Sequence, residues 1–273
     1  MPRRLARTGA IGLVLPALLL ALWEGLSRFG VAPPNLLPAP SAVLKSILML
    51  WRSGELWGHI EITLIRVALG FLLGMAVATV LGALTGYSAL WRRLLDPFLQ
   101  SLRSIPSMAW IPLFVLWLGI FEASKVTLIA VGAFFPIYLN TMAGIQQVDR
   151  KLVEVARIHG YGGAALVRRV LLPATLPAYI IGLRGGLGLA WMFVVAAEFM
   201  GASEGLGFLL IDGQQTGRPA NIIASILLFA IFGKASDLLL AMLGRRFVAW
   251  QDSFETAEEK KAHAADQARL QTV

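Results

Sequence analysis

Apolar residues in this chain gather in blocks of about 20 residues, the length of helix that crosses a hydrocarbon core of roughly 30 Å. The blocks run from about Gly9 to Leu26, Glu61 to Tyr87, Met108 to Ile120, Val126 to Ile145, Ala178 to Met200 and Asn221 to Leu243. They do not alternate apolar and polar positions, which argues against a membrane β-barrel. The pattern predicts an all-α integral membrane protein with six transmembrane helices. The third block is broken by Pro112, and the fourth contains Pro136 and Asn140. In the second, Gly70, Gly74, Gly82 and Gly86 lie on or near one face, and small residues let membrane helices approach closely. That helix is expected in the middle of the bundle.

Between the blocks, Val31 to Pro40 is a proline-rich exit. Ser41 is placed to cap a short helix to Trp51, whose apolar residues suit either the membrane interface or packing on the bundle. Ser88 to Pro106 reads as a basic loop, and Gly201 to Ala220 as a glycine-rich loop on the opposite side. The domain organisation expected is a first span within 1–30, a loop with the interfacial helix over 31–60, a bundle over 61–243 with an inner loop at 149–177, and a charged tail over 244–273. The tail beyond Trp250 reads as helical or disordered surface.

Charge adds orientation. The net charge is +8, yet only 15% of residues are charged. Sixteen basic residues, Arg92, Arg93, Arg150, Lys151, Arg168 and Arg169 among them, fall on one side of a six-span arrangement. Only Arg28, Lys45, Arg52, Arg66, Lys125 and Arg218 fall at or near the other. Positive charge stays in the cytoplasm, so both termini are expected there. The basic balance therefore reports membrane topology and not nucleic-acid binding. There is no cysteine, which excludes disulfides and thiolate sites. His59, His159 and His263 are scattered and form no metal constellation. No cofactor is implied.

The longest polar interruption is Asp149 to Pro177. Asp149 is placed to cap a helix running to His159. Gly160 suits a left-handed helix stop. A second helix is expected from Ala164 to Leu172, with Pro173 ending it or restarting the chain and Pro177 in the first turn of the fifth span. The result is a helix–turn–helix on the membrane surface.

Within it, Glu154-Val155-Ala156, three residues, Gly160, nine residues and Val170-Leu171-Leu172-Pro173 resemble the EAA loop of binding-protein-dependent ABC importer permeases, E-A-A-x3-G-x9-I-x-L-P. Val155 replaces an alanine and Val170 an isoleucine. Ser53 to Phe71, Ile111 to Leu128 and Phe135 to Asp149 are similar to the sulfonate, taurine and nitrate branch of these permeases, nearest to its aliphatic sulfonate members. The resemblance covers about Leu36 to Trp250. It implies a type I (MetI-like) transmembrane domain in the bacterial inner membrane. It also implies a coupling helix that docks on a cytoplasmic ATPase, through Glu154, Ala156, Arg157, Gly160, Leu172 and Pro173. The implied partners are two ATPase copies, a periplasmic substrate-binding protein and a second permease copy. The chain has no phosphate loop of its own, so ATP hydrolysis is expected on another chain and this subunit is not an enzyme.

Polar residues within spans mark a pathway or a pairing. Arg184 and Glu198 lie 14 residues apart in the fifth span, about 21 Å along the axis, too far to bond each other. Arg184, Glu198 and Asn140 are pathway candidates for an anion, with a structural pairing between helices as the alternative for each. Lys234 and Asp237, three residues apart, are placed to neutralise one another. The expected function is passage of an aliphatic sulfonate or similar small anion. Taurine, nitrate or a pyrimidine precursor are alternatives, and a secondary transporter is a remote one. A secondary transporter would need paired broken helices with ion ligands, and no internal repeat supplies them. A membrane enzyme would need clustered catalytic residues, and none is visible.

Overall fold

The computed structural model describes residues 2–30, 33 and 35–247, without the side chains of residues 2–13, 107 and 164. The expectations for the tail beyond Trp250, and for part of the proline-rich exit, lie outside the described residues.

Every regular element among the described residues is helical. Four helices are long and apolar enough to span a membrane, or five if one bent pair counts as a single span. They are α3 (Glu55–Tyr87), α6 (Glu122–Gln146), α9 (Leu172–Glu198, extended upstream by a π turn) and α11 (Pro219–Phe247). The N-terminal α1 (Pro2–Arg28) stands where the first of the six expected spans falls.

α6 is the middle of the bundle, sandwiched between α3 and α9. The glycine stripe of α3 faces it in constant register: Gly70 against Ile129, Gly74 against Ala130 and Ala133, Gly82 against Thr141, Gly86 against Ile145. A Cβ on Gly74 would lie 2.5 Å from the Ala130 carbonyl oxygen. Backbones this close are how membrane helices gain contact without a hydrophobic drive between them. On the other side of α6, the antiparallel α9 brings Gly182 against Asn140 and Gly186 against Ile137, while the Phe193 ring fills the space beside Gly132. The glycines expected to centre α3 thus centre α6 instead.

The third expected span is not one straight helix. α4 (Ala89–Ser104) occupies the stretch read as a basic loop, and a 3₁₀ turn (Ser107–Trp110) leads into α5 (Ile111–Leu118). The two halves meet at 88°. The cause is local: Ile105 precedes Pro106 and takes an extended backbone (φ −76°, ψ 124°), as a residue before proline is pushed to do. Eight residues of α5 rise about 12 Å, too short to span alone. The Tyr138 hydroxyl donates to Asp96 Oδ1 at 3.1 Å, pinning α4 to α6. Arg92 donates from Nε to the Thr85 carbonyl at 3.1 Å, covering acceptors left free at the end of α3.

Two other expectations change. Ser41 does not cap α2 (Pro40–Arg52) with its own side chain; Ala39 is the N-cap residue. The Glu24 carboxylate of α1 takes that place, accepting from the Ser41 N–H (3.0 Å) and hydroxyl (2.8 Å). α2 packs through buried Val43 and Ser46 and leaves Leu44, Leu48, Met49 and Trp51 exposed. The glycine-rich loop, in turn, contains α10 (Leu206–Gln215). α10 buries Leu206 and Leu209 with Leu56, Ile60 and Leu228 in a second small core at that end of the bundle.

Candidate functional site

At one end of the bundle is the Asp149–Pro177 loop. Asp149 Oδ1 accepts the Lys151 N–H at 2.9 Å and caps α7 (Arg150–Ile158). The helix stops at Gly160, whose φ of +80° is left-handed. The Tyr161 N–H donates to the Ala156 carbonyl and the Gly160 N–H to the Arg157 carbonyl, both at 2.9 Å. That pair of bonds is a Schellman motif, so the stop expected from sequence has its full hydrogen-bond pattern. No atom lies within 4 Å of a Cβ built on Gly160, so glycine is demanded there by backbone conformation and not by crowding.

Of α7 only Ala156 is buried. Glu154 and Arg157 are exposed, as are the apolar Leu152, Val155 and Ile158, the last at 83%. An exposed apolar stripe flanked by an acid and a base on a nine-residue helix is the kind of surface that a groove in a partner can take. Beyond the turn, the second helix is shorter than expected. α8 (Gly163–Leu166) passes into a π turn, Val167–Leu171, which runs directly into α9. Pro173 therefore restarts nothing and sits in the first turn of α9, inside a continuous helical path. Its ring would strike the Arg169 carbonyl in a regular α-helix. The wider π turn, with the Leu172 N–H reaching back to Val167 O, relieves that clash. Pro177 lies inside α9. Leu172 is exposed and borders an apolar cavity of about 790 Å³, which Leu171, Trp91, Tyr87 and Tyr179 also line.

The opposite end is built otherwise. Arg66 of α3 is 3% exposed and forks onto Glu122 through Nε and Nη2, both at 2.7 Å. Its Nη1 reaches Glu198 Oε1 at 2.9 Å and the Glu204 carbonyl at 2.6 Å. Glu198, wholly buried, also accepts from the Thr63 hydroxyl (2.7 Å) and the Gly207 N–H (2.6 Å). The Thr63 oxygen accepts the Leu206 N–H at 2.9 Å, and His59 Nδ1 accepts the Gly205 N–H at 3.1 Å. One arginine and two glutamates thus tie α3, α6, α9 and the start of α10 together. Glu198 is brought to a structural pairing and not to an open surface. Arg66 stands above only as an outer cation. Its place within the second apolar block is the signal that it needed a partner.

Arg184 and Asn140 are placed differently again. Arg184 forks onto Asp237 of α11, Nε to Oδ1 at 2.8 Å and Nη2 to Oδ2 at 2.9 Å, and stays about half exposed. Asp237 is thus claimed mainly by Arg184, with Lys234 Nζ at 3.8 Å. Asn140 lies half-buried in the α6–α9 seam, donating to the Pro136 carbonyl at 2.8 Å.

An all-helical, multi-span bundle that packs through glycines defines an integral membrane protein. The chain belongs to the family described as binding-protein-dependent transport system inner membrane component, whose model matches residues 70–249; it is an ABC transporter permease. It is 43% identical over 89% of its length to the aliphatic sulfonates transport permease protein SsuC of Bacillus subtilis (strain 168), covering 88% of that protein. The SsuC protein of Escherichia coli (strain K12) is 38% identical over 89% of this chain and 93% of its own. The taurine transport system permease protein TauC of the same strain is 32% identical, over 90% and 91%. The fold is also that of a chain in the MetNI methionine ABC transporter in inward-facing conformations. That match has a TM-score of 0.56 at 23% identity and covers 74% of this chain and 96% of that one.

Proposed function

We propose that this chain forms the translocation pathway of an ATP-driven importer for an aliphatic sulfonate or a similar small anion. The observation that carries the substrate class is the identity to the two SsuC permeases along nearly the whole chain. A taurine-type sulfonate is the second reading, supported by the lower identity to TauC.

In this reading both termini are cytoplasmic, as the distribution of basic residues supports. Two copies of the chain make one pathway, and a periplasmic binding protein delivers the anion near α10. ATP hydrolysis belongs to two copies of a separate cytoplasmic subunit, whose motion enters through Glu154, Ala156, Arg157 and Gly160. Glu154 and Arg157 offer charge-assisted bonds, and Leu152, Val155 and Ile158 fill the partner's groove. Leu172 and Pro173 begin the helix that carries the displacement into the membrane. The continuous helical path from Gly163 to Glu198 supports that route, because a rigid rod transmits a push that a flexible loop would absorb.

The test is Gly160→Asp in the assembled complex, reconstituted in proteoliposomes with binding protein and an alkanesulfonate. Uptake should be lost while ATP hydrolysis no longer responds to loaded binding protein. Hydrolysis and uptake that stay coupled as in the wild type would remove the role assigned to the loop. Failure of the wild-type complex to import the sulfonate, with taurine imported, would favour the second reading.

A further inference from the structure

Arg184 lies one residue from the middle of α9 and Lys234 one residue from the middle of α11. Both therefore lie within membrane-spanning segments, where a charge facing lipid is costly. Neither is buried within the chain: Arg184 is 47% exposed, Asp237 27% and Lys234 67%. The surface holding them must face water or a second chain.

The three charges are not balanced. Asp237 spends both oxygens on the guanidinium fork of Arg184. That leaves Lys234 Nζ at 3.8 Å from Oδ2, beyond hydrogen-bond reach. Two cations share one carboxylate, and the ammonium is the one without a bonded partner. Beside the cluster the surface is kept clear. Gly188, one turn from Arg184, has nothing within 4 Å of a Cβ built on it, and the flanking Ile181 and Met192 are exposed. On α11, Trp191 of α9 holds the next turn in place, its indole N–H donating to the Ser236 hydroxyl at 2.8 Å.

We infer that Lys234, with Arg184 held in position by Asp237, is an intramembrane contact for the anionic headgroup in transit. This rests on the anion-import reading above. Arg184 is oriented by its carboxylate and presents a fixed fork. Lys234, only loosely paired with the shared carboxylate at 3.8 Å, carries its charge on a flexible stem, which suits transient attraction and release of a sulfonate-type oxyanion.

The experiment uses the full complex in proteoliposomes with loaded binding protein, comparing Lys234→Gln, Lys234→Glu and Lys234→Arg with a surface control, Lys45→Gln. Uptake of alkanesulfonate, taurine and nitrate is followed together with ATP hydrolysis. Lys234→Gln should slow anion uptake about tenfold, the loss expected for one charged contact. Lys234→Glu should slow it further, Lys234→Arg should restore it, and hydrolysis stimulated by binding protein should persist in all three. Wild-type uptake in Lys234→Gln and Lys234→Glu would overturn the inference and leave the importer reading standing. Loss of the permease pair on size-exclusion chromatography of Lys234→Gln would also overturn it, by making Lys234 a bridge between subunits. A wild-type complex that imports none of the three anions would overturn the importer reading itself, and this inference with it.

Discussion

The two ends of the bundle treat their polar groups in opposite ways. Around Arg66 and Glu198, both buried, the charges are bonded to one another within the chain, with only Glu122 reaching the surface. Around α7, Glu154 and Arg157 are exposed, and so is the apolar stripe between them. The first end is complete as an isolated chain. The second is held by its cap and stop, by buried Ala156 and by Arg169 on Tyr161, with its outward side chains left over. A buried ion pair needs all its partners close by, because an uncompensated charge in a dry interior costs several kcal/mol. A docking knob needs the reverse, since groups already satisfied within the chain have little to offer a partner. The end that holds the fold and the end proposed to receive work are thus distinguishable by where their hydrogen bonds go.

The largest test of that contrast is Arg66→Met. It leaves the Glu198 carboxylate buried without its counter-charge, and should destabilise the protein by about 3–5 kcal/mol, read as lost thermal stability in detergent. Pairing it with Glu198→Leu should recover much of that loss, because replacing both members of a buried pair is often close to neutral. A single substitution no worse than a surface change would mean the network does not hold that end together.

Gly74→Ala comes next. Its methyl would press on the Ala130 carbonyl, and overpacking of this kind costs about 1–3 kcal/mol. The same assay should show a fall in melting temperature without loss of the helical circular dichroism signal.

The smallest effect on stability, and the sharpest on assembly, is expected for Ile158→Ser. An exposed side chain outside any core should change stability by less than about 0.5 kcal/mol. Retention of the ATPase subunit on affinity-tagged permease should nonetheless drop. An Ile158→Ser protein that unfolds like Arg66→Met would erase the distinction between the two ends.

The helical class, the multi-span character, the Asp149 cap, the Gly160 stop and the α3 glycine stripe were all legible in the residues. Each is a local property: block length, one turn's hydrogen bonding, one backbone dihedral, one helix face. Local signals are also present at Pro106 and Pro112, yet the residues of the bent α4–α5 pair look like a loop plus a span, because a proline marks a break without setting its angle. α10 was hidden by its glycines, and its helix is completed by burial of Leu206 and Leu209 against α3 and α11.

Which charges meet was decided by tertiary structure alone. Arg66 and Glu198 are separated by 132 positions in the chain, and Arg184 and Asp237 by 53. No periodicity within one helix reports on a partner in another. The sequence could state that a charge inside an apolar block needs an answer, because the bilayer penalises any that lacks one. Only the packing of α3 and α9 around α6, and of α11 against α9, determined that Glu198 is sealed into the fold while Arg184 and Lys234 remain exposed on the surface of the chain.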